Sequence, residues 1–435
     1  MLLILLLPCR SVGIVREKTA GQKGGIDFAG IPVEGDQRVS LRTLKNLSNP
    51  LPKHFAPHRQ RHWEPIPEAV LLSEMQAIIE WLELCLLDAQ AEILFENYIF
   101  AEGDWPERVL RILCDKAVAG VQVYITLDAL GSRGFPSGWA AELRAAGAHL
   151  HWYHHLQLKG LEKRLRRSHR RVVVVDGQWA AVGGFAIADD WLTGAPGTMP
   201  YREMLFACRG NLAEQGRQIF FRHRPESLPS LGTAAFFQPD TLWWGHGRFL
   251  EGAPPGSLAV RRRLLAAIHA ARQSIWITTP YFNPDPIILR AIYRAVQRGV
   301  DVRLLLAGRI TDHPLLRFGI QAYYQKLMRR GVHVYEYEGA FLHAKYLLVD
   351  GSWASIGSAN LDFLSLWFNH ELNLELRAPL AALLLRTLFL REFAQAREID
   401  PGPWRRRPRW RRIIEWFWAQ LDRWVQAHAL GQRRY

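Results

Sequence analysis

Two stretches of the chain carry the same pattern of residues, and together they decide the fold. Residues 168–186 read SHRRVVVVDGQWAAVGGFA, and residues 342–360 read LHAKYLLVDGSWASIGSAN. In both stretches a histidine, His169 or His343, precedes a run of apolar residues. Such a run between polar residues is typical of a buried strand. The pattern therefore predicts one strand in each stretch, with a histidine just before it.

Each stretch fits the pattern His-x-[Lys/Arg]-x4-Asp, followed six residues later by a glycine-rich turn. The cations are Arg171 and Lys345, and the aspartates are Asp176 and Asp350. A chain of this composition is expected to hold roughly 0.08 such matches by chance. Two matches at equivalent places therefore favour a functional motif over the structural alternative, which is a core histidine beside a surface cation.

The similarity between the two halves of the chain extends beyond these motifs. Four positions recur in the same order at offsets between 174 and 184 residues. The matched pairs are Ile93 and Ile275, Gly120 and Gly299, Gly147 and Gly331, and His169 and His343. Because strands and helices alternate within each half, the repeat predicts a duplicated α/β fold with two sandwich lobes. Two unrelated α/β domains would share the alternation but not the matched glycines.

Changes in composition along the chain divide it into five segments. Proline and glycine cluster between the two halves, and arginine and tryptophan cluster after the second half. Such clusters are typical of connections and of separate tails. We predict a poorly ordered extension at 1–65, a first lobe at 66–226, a connection at 227–258, a second lobe at 259–400 and a basic aromatic helix at 401–435.

The overall composition limits the class of protein. Of the 435 residues, 49% are hydrophobic, which excludes global disorder. The formal net charge of +14 favours anionic partners such as nucleic acid, anionic lipid or a phosphorylated substrate. The four cysteines lack C-x-x-C spacing, which argues against a zinc site or a disulfide framework. The apolar run Leu2–Leu7 is too short for a spanning helix or a signal peptide.

The residue types in the motifs suit chemistry on a phosphoryl group. Residues two apart in an extended chain point to one face, so His343 and Lys345 present an imidazole beside a cation. The cation can bind non-bridging oxygens, and the imidazole can attack phosphorus or carry a proton. One histidine from each half would supply the nucleophile and the general acid. Because a cation neighbours each histidine, we expect no metal and no other cofactor.

The turns after the two strands offer hydrogen-bond donors to a phosphate. Gly183, Gly184 and Gly357 would let backbone N–H groups approach it, because glycine has no side chain to block them. Ser358 and Asn360 would add side-chain donors. We predict that these five residues bind the substrate.

The Gly-Ser-x-Asn tail of the second motif resembles the pattern of the phospholipase D superfamily, and the resemblance covers about residues 66–400. From TPYFNPD at 279–285 to Glu371, the chain is most similar to the bacterial cardiolipin synthases, particularly their B type. The resemblance implies phospholipase D-type lobes packed with pseudo-twofold symmetry around one active site. It also implies phosphatidyl transfer through a phosphohistidine, with phosphatidylglycerol as donor and acceptor, release of glycerol and no metal.

The resemblance further assigns roles to individual residues. It implies that His169 is the nucleophile, because the first motif usually supplies it in this superfamily. It implies that Glu203 and Glu371 orient a catalytic histidine through its second ring nitrogen, although Glu203 is equally compatible with a solvated strand. The residues predicted to be catalytic are His169, Arg171, Asp176, His343, Lys345, Asp350, Glu203 and Glu371.

The first motif departs from the family pattern at two positions. Arg171 stands where the family has lysine, and a planar guanidinium is not equivalent to a compact ammonium at a tight phosphate site. Ala186 stands where the family usually has asparagine, so one donor is missing. These departures leave open a slow enzyme, a changed substrate or an inactive lipid-binding protein.

Two basic segments favour a membrane partner. The first, residues 151–169, holds five cations that lead into the first motif and would attract anionic head groups: Lys159, Lys163, Arg164, Arg166 and Arg167. The second is the tail from Trp404 to Tyr435, which holds nine arginines and five tryptophans. One helical face of this tail carries Ile414, Phe417, Trp418, Leu421, Trp424 and Val425. This helix would lie in the head-group layer or dock on the protein's own core.

We therefore expect peripheral binding to an anionic phospholipid membrane surface, on the cytoplasmic face of the bacterial inner membrane, and no nucleic-acid partner. A phosphodiesterase or nuclease of the same superfamily is the alternative, since the positive charge of the chain fits it equally well. The aromatic, apolar tail favours the bilayer over a duplex.

Overall fold

The strands that follow the two motif histidines, β8 (Val172–Val175) and β18 (Tyr346–Val349), lie inside two mixed β-sheets. The computed structural model describes residues 14–16, 27–29, 63–153, 166–194, 199–222, 224, 244–253 and 257–431, without the side chains of 14–16, 27–29, 422, 423 and 425–431. All four residues of each strand are buried. Each strand is therefore covered on both faces of its sheet.

The first half of the chain alternates strands and helices, as the repeat predicts. Strands β1 (Ile14–Arg16) and β2 (Asp27–Ala29) form a separate antiparallel pair. The other strands are β3 (Glu64–Pro65), β4 (Ala69–Glu74), β5 (Glu92–Asn97), β6 (Gln122–Asp128), β7 (His149–Tyr153), β8, β9 (Trp179–Gly183) and β10 (Met199–Arg209). The helices are α1 (Met75–Leu87), α2 (Asp104–Val118), α3 (Ser137–Ala145), α4 (Asp189–Thr193) and α5 (Asn211–Phe221).

The second half repeats the alternation. Its strands are β11 (His246–Ala253), β12 (Ser257–Leu258), β13 (Ser274–Thr279), β14 (Phe282–Asn283), β15 (Asp301–Ala307), β16 (His333–Tyr337), β17 (Ala340–Leu342), β18, β19 (Trp353–Gly357), β20 (Leu361–Asp362), β21 (Glu371–Arg377) and β22 (Ala396–Glu398). Its helices are α6 (Ala259–Ala270), α7 (Pro286–Gln297), α8 (Pro314–Arg329), α9 (Phe363–Trp367), α10 (Pro379–Ala394), α11 (Pro401–Arg405) and α12 (Arg409–Gly431).

The two large sheets share a strand order. The first runs β17-β10-β9-β8-β5-β6-β7, with β4 also on β10, and the second runs β12-β11-β21-β19-β18-β13-β15-β16-β22, with β3 on β11. The series β10-β9-β8-β5-β6-β7 thus matches β21-β19-β18-β13-β15-β16. In both series three strands are parallel and the motif strand is antiparallel to the first of them. The α/β class is therefore confirmed, and pseudo-twofold packing stays a prediction.

Alternate side chains of the motif strands pack into different parts of the core. Val173 and Val175 lie in an apolar cluster with the helices of the first half. Val172 and Val174 lie in a second cluster that also contains Leu348 of the other sheet. Since neighbouring residues of a strand point to opposite faces, one face of each sheet packs against its own helices and the other against the other half. This shared core joins the two halves.

Short stretches of backbone also pair across the halves. Strand β17 joins the edge of the first sheet, where Leu342 is paired with Arg202. A parallel bridge likewise pairs Ser168 with His370. These two contacts place each motif histidine beside the strand that carries the glutamate of the other half.

The boundaries of the segments differ in part from those predicted. The predicted connection at 227–258 contains β11 and β12, which belong to the second sheet. The proline-glycine cluster at 252–256 thus falls between two paired strands of the second sheet. The predicted extension at 1–65 falls largely outside the described residues, and its described parts are the strands β1 to β3.

The predicted C-terminal helix is present as α12, preceded by the short α11. Helix α12 packs against α8, and its buried Glu415 accepts a hydrogen bond of 2.8 Å from Arg407. The side chain of Val425 lies outside the described residues. Within the described part of the chain, every helix is too short or too polar to cross a membrane.

Candidate active site

His169 is held by a carboxylate from the other half of the molecule. Its backbone N–H donates to the carbonyl oxygen of His370 at 2.9 Å, which fixes the chain beside the start of β21. Its Nδ1 lies 3.1 Å from both carboxylate oxygens of Glu371, which is fully buried. Because a carboxylate accepts, Nδ1 carries the proton and Nε2 keeps its lone pair.

His343 is held in the same way by the first half. Its backbone N–H donates to the carbonyl oxygen of Arg202 at 2.8 Å, and its Nδ1 lies 2.7 Å from Oε1 of Glu203. Glu203 is also fully buried. Both glutamates that the resemblance implied therefore contact a motif histidine. Each one contacts the histidine of the opposite half, which spacing along the sequence does not reveal.

A cation lies beside each imidazole, as the two-residue spacing predicts. The Nζ of Lys345 is 2.9 Å from Nε2 of His343. One terminal guanidinium nitrogen of Arg171 is 3.4 Å from Nε2 of His169, and another nitrogen of this group donates to the carbonyl oxygen of Gly184. Arg171 is thus tied to the backbone, and Lys345 lies close against the imidazole.

Burial controls the protonation of these groups. It lowers the pKa of both imidazoles, that of His343 well below its ordinary value, with Lys345, Arg171 and His169 adding to the effect. It lowers the pKa of Lys345 to about 7 and raises the pKa of Glu203. The two imidazoles lie in one site, because Arg171, 3.4 Å from Nε2 of His169, donates to the carbonyl oxygen of Gly184, and Gly184 lies against Glu203, the partner of His343. Both imidazoles are neutral near pH 7 before an anion binds.

Ser358 contacts the glutamate that holds His169, and its predicted contact with phosphate stays a prediction. Its hydroxyl donates to Glu371 at 2.5 Å and accepts from the backbone N–H of Leu372 at 3.0 Å. The hydroxyl thus orients Glu371. Oδ1 of Asn360 is buried without a hydrogen-bond partner among the described residues, and its predicted phosphate contact stays a prediction.

The three motif glycines allow strands to approach closely. A Cβ on Gly183 would lie 2.2 Å from the carbonyl oxygen of Met204, and one on Gly357 would lie 2.3 Å from that of Leu372. A Cβ on Gly184 would lie 2.5 Å from a carboxylate oxygen of Glu203. The structure thus gives the glycines a packing role, which brings the glutamate strands up to the motif strands. Their contact with phosphate stays a prediction.

The two motif aspartates lie at the far ends of the motif strands, roughly 20 Å of extended chain from the histidines. The carboxylate of Asp176 accepts from the backbone N–H groups of residues 90–92 at 2.7 to 2.9 Å. That of Asp350 accepts from residues 272–274 at 2.7 to 3.2 Å. Both have a left-handed backbone, with φ of 53° and 51°. Both carboxylates thus hold the chain just before β5 and β13, and their predicted catalytic role stays a prediction.

Several residues around the site were missed from the sequence. The ring of Tyr98 packs edge-on against His169 at 5.0 Å, and Trp191 packs against His343 at 5.3 Å. Tyr281 donates to Asp312 at 2.6 Å and affects Arg171 electrostatically. Tyr98 and Tyr281 are 183 residues apart, within the range of the repeat offsets, so the repeat itself was the signal that identifies them.

Two buried arginines anchor the backbone next to the site. Arg170, adjacent to His169, contacts Glu96 at 2.8 Å and Glu251 at 2.9 Å. Arg202, adjacent to Glu203, donates to Glu392 at 2.9 Å. Alternation along an extended chain turns these arginines away from the imidazole side and into the protein. Their ion pairs hold in place the backbone that carries His169 and Glu203.

The basic segment that leads into the first motif, residues 151–169, is only partly within the described residues. Residues 154–165, with Lys159, Lys163 and Arg164, lie outside the described residues. Arg167 is buried and donates to Asp128 at 2.7 Å, so it stabilises the interior and is not a free surface charge. Among the described residues, no three His, Cys, Asp or Glu side chains are grouped so that they could hold a metal ion.

Comparison with known proteins indicates the class of protein to which the fold belongs. A family model described as "Cardiolipin synthase, PLD-like domain" matches residues 264–393. The fold is similar to the crystal structure of phosphatidylserine synthase from Haemophilus influenzae Rd KW20, with a TM-score of 0.65 and 13% identity over 87% of this chain and 99% of that one. The fold and the paired histidines thus define a phospholipase D-like protein.

The relatives in sequence narrow this class. The chain is 33% identical over 333 residues to cardiolipin synthase of Geobacillus thermodenitrificans (strain NG80-2), covering 75% of this chain and 66% of that protein. It is 30% identical over 345 residues to cardiolipin synthase A of Pseudomonas putida (strain W619), covering 76% of this chain and 69% of that protein. The chain belongs to the cardiolipin synthase family. It spans about two thirds of the length of these relatives, and similarity to the B type stays a prediction.

Proposed function

We propose that the chain forms cardiolipin by moving a phosphatidyl group from one phosphatidylglycerol molecule to a hydroxyl of a second, with release of glycerol. One observation carries the proposal. Two buried imidazoles, each with Nδ1 on a carboxylate of the opposite half and with a cation beside it, are linked through the contacts of Arg171, Gly184 and Glu203. A phosphodiester between them would have a nucleophile on one side and an acid on the other.

In the first step, Nε2 of His169 attacks the phosphorus of phosphatidylglycerol. The bond between phosphorus and the glycerol oxygen breaks, and His343 donates a proton to that oxygen, so glycerol leaves as an alcohol. Arg171 and Lys345 bind the non-bridging oxygens, whose charge grows in the transition state. The anionic phosphate raises the pKa of His343 when it binds, since an opposite charge favours the protonated ring.

In the second step, His343 acts as the base. It takes the proton from a hydroxyl of the second phosphatidylglycerol, and the resulting oxygen attacks the phosphorus. The bond between phosphorus and Nε2 of His169 breaks, which releases cardiolipin and restores the free imidazole. Both rings are at least nine-tenths buried, with exposed fractions of 8% and 3%. This burial limits water, which would otherwise compete with the lipid hydroxyl.

The test is His343→Ala in a bacterial host that lacks its own cardiolipin synthases. We expect no cardiolipin by mass spectrometry of extracted lipids, because the acid and base of both steps is lost. His269→Ala, which removes an exposed histidine of α6 outside the motifs, is the control and should make cardiolipin normally. Normal cardiolipin in the His343→Ala strain would refute the mechanism.

Purified protein distinguishes the alternatives. Incubation with phosphatidylglycerol, with and without phosphatidylethanolamine, identifies the donor and acceptor lipids by the products formed. An acid-labile phosphatidyl group on the peptide that contains His169 would support the covalent intermediate. Hydrolysis of DNA in preference to lipid would favour the nuclease alternative, and lipid binding without turnover would favour a weakened lipid-binding protein.

Helix α12 supports the proposed association with an anionic membrane at the cytoplasmic face. Its apolar residues form an exposed ridge: Trp410, Ile413, Trp416, Phe417, Leu421 and Trp424 are 39% to 65% exposed. The adjoining sequence RRRPRWRR at 405–412 holds six arginines. Exposed aromatic residues beside arginines suit the head-group layer of an anionic bilayer. Trp418, predicted on the same face, instead lies against α8, where its Cβ is 3.8 Å from a Cβ built on Gly319.

A further inference from the structure

A cavity of about 670 Å³ lies where α11 and α12 meet α8 and β22. We call it the arginine groove, because five arginines line it: Arg309, Arg317, Arg397, Arg407 and Arg411. None of the residues placed in the active site lines this groove. The catalytic mechanism therefore does not account for it.

Three of the arginines in the groove have carboxylate partners. Arg317 and Arg397 contact the buried Glu336 at 2.7 and 2.9 Å, and Arg407 contacts Glu415 at 2.8 Å. These ion pairs hold the walls of the groove in place. They also fix guanidinium groups at its surface before any ligand arrives, which lowers the entropic cost of binding.

The other two arginines, Arg309 and Arg411, have no carboxylate within ion-pair distance in the described part of the chain. The two acidic residues that line the groove are already engaged. Glu398 is 2.8 Å from His333, and Asp400 accepts from the backbone N–H of Gly402 at 2.7 Å. Positive charge at Arg309 and Arg411 is thus available to an anion.

Two buried N–H groups of the groove residues also lack an acceptor within the described structure. They are Nε of Arg317 and the indole Nε1 of Trp404, whose ring packs against Tyr324 at 5.1 Å and under Arg407 at 4.5 Å. Buried donors are nearly always paired in folded proteins. Because both atoms are buried, they lie behind the surface of the groove, and the indole N–H of Trp404 can report a ligand there without contacting it.

The surroundings of the groove favour an amphiphile over a free anion. Arg411 lies on α12 between the exposed Trp410 and Ile413, which belong to the apolar ridge of this helix. A ligand with its phosphate on the arginines would have apolar surface next to it for acyl chains. A nucleic acid would leave that ridge unused.

We propose that the arginine groove is a second lipid site, which binds the phosphodiester head group of an anionic phospholipid separately from the catalytic histidines. The proposal does not rest on the transferase activity. Arg309 stands three residues before Asp312, which binds Tyr281 beside the catalytic site.

Trp404 lines the groove and not the active site, so its indole N–H signal can report binding in the groove alone. In the full chain labelled with 15N-tryptophan, the indole N–H signal of Trp404 is assigned by its loss in Trp404→Phe. Titration with monomeric dihexanoyl phosphatidylglycerol should move this signal. Arg309→Gln with Arg411→Gln should raise the Kd read from it about tenfold, as expected for losing charge-assisted contacts. The matched control is Arg405→Gln with Arg406→Gln, two exposed arginines outside the groove, and it should change Kd less than about twofold.

Each other outcome overturns the assignment. A Trp404 signal that does not respond to the lipid would show that the groove does not bind it. An equal rise of Kd in the two double variants would show that the net charge of the protein attracts the lipid and that the groove is not a specific site. Inorganic phosphate, or a DNA duplex, that moves the signal at lower concentration than the lipid would show a free-phosphate site or a nucleic-acid surface instead.

Discussion

At the scale of single residues, the site depends on two hydrogen bonds that cross between the halves. Glu203 and Glu371 each fix the tautomer of one histidine, so that Nε2 is left for chemistry. Glu371 is in turn held by the hydroxyl of Ser358, whereas Glu203 lies against Gly184 with no side chain between them. The two histidines are thus supported differently. This difference fits two distinct roles, one as nucleophile and one as acid and base.

Glu203→Gln tests this support. The amide keeps the shape of the carboxylate but no longer stabilises the protonated ring of His343, so the acid step slows. We expect kcat to fall roughly 10²- to 10⁴-fold, the usual worth of a general acid, with KM changed only slightly. Initial rates on phosphatidylglycerol measure this effect. Glu214→Gln, a partly buried glutamate of α5 outside the site, is the control, and an unchanged kcat in Glu203→Gln would remove its proposed role.

Lys345 predicts the pH dependence of the reaction. Burial lowers its pKa to about 7, so the free protein carries the cation below pH 7 and loses it as the pH rises. Because the cation binds the phosphate, kcat/KM should decline about tenfold per pH unit above this value. The measurement is kcat/KM from pH 6 to 9 at constant ionic strength. A flat profile over this range would show that the cationic form of Lys345 is not required.

At the scale of secondary structure, much was predictable from sequence because it is local. The alternation of strands and helices, with a glycine that ends the helix, predicted a helix at 286–298, and the structure has it at Pro286–Gln297. The run of β-branched residues predicted β8. The contacts of Asp350 were not predictable from its motif. Its spacing from His343 is the same whether or not its carboxylate accepts hydrogen bonds just before β13, and only the three-dimensional path of the chain shows that it does.

The apolar ridge of α12 carries a prediction about membranes. Trp416→Ser with Phe417→Ser removes two side chains that are 61% and 56% exposed, so the fold should not change. Partitioning onto vesicles of phosphatidylglycerol and phosphatidylcholine should weaken about tenfold or more, because apolar surface no longer enters the head-group layer. Co-sedimentation with vesicles measures this. Leu84→Ser with Leu87→Ser, an exposed pair on α1, is the control, and equal partitioning of both variants would refute the proposed surface.

At the scale of the whole molecule, the active site belongs to neither half alone. Each histidine is oriented by a glutamate about 140 to 202 residues away along the chain, and a core shared between the two sheets holds them in register. The sequence could predict that the halves meet, because one histidine lies in each. It could not predict which glutamate serves which histidine, since that depends on strands that pair across the halves, such as β17 on β10.

This arrangement predicts that the complete site forms within one chain. The His169→Ala and His343→Ala proteins should each be inactive. Mixing them should restore less than a few per cent of the wild-type rate, because every chain in the mixture still lacks one of the two imidazoles of its described site. The rate of cardiolipin formation is measured after unfolding and refolding the mixture, with refolded wild-type protein as the control. Recovery near a quarter of the wild-type rate would instead mean that chains exchange their halves, because random exchange would give a quarter of the sites both histidines.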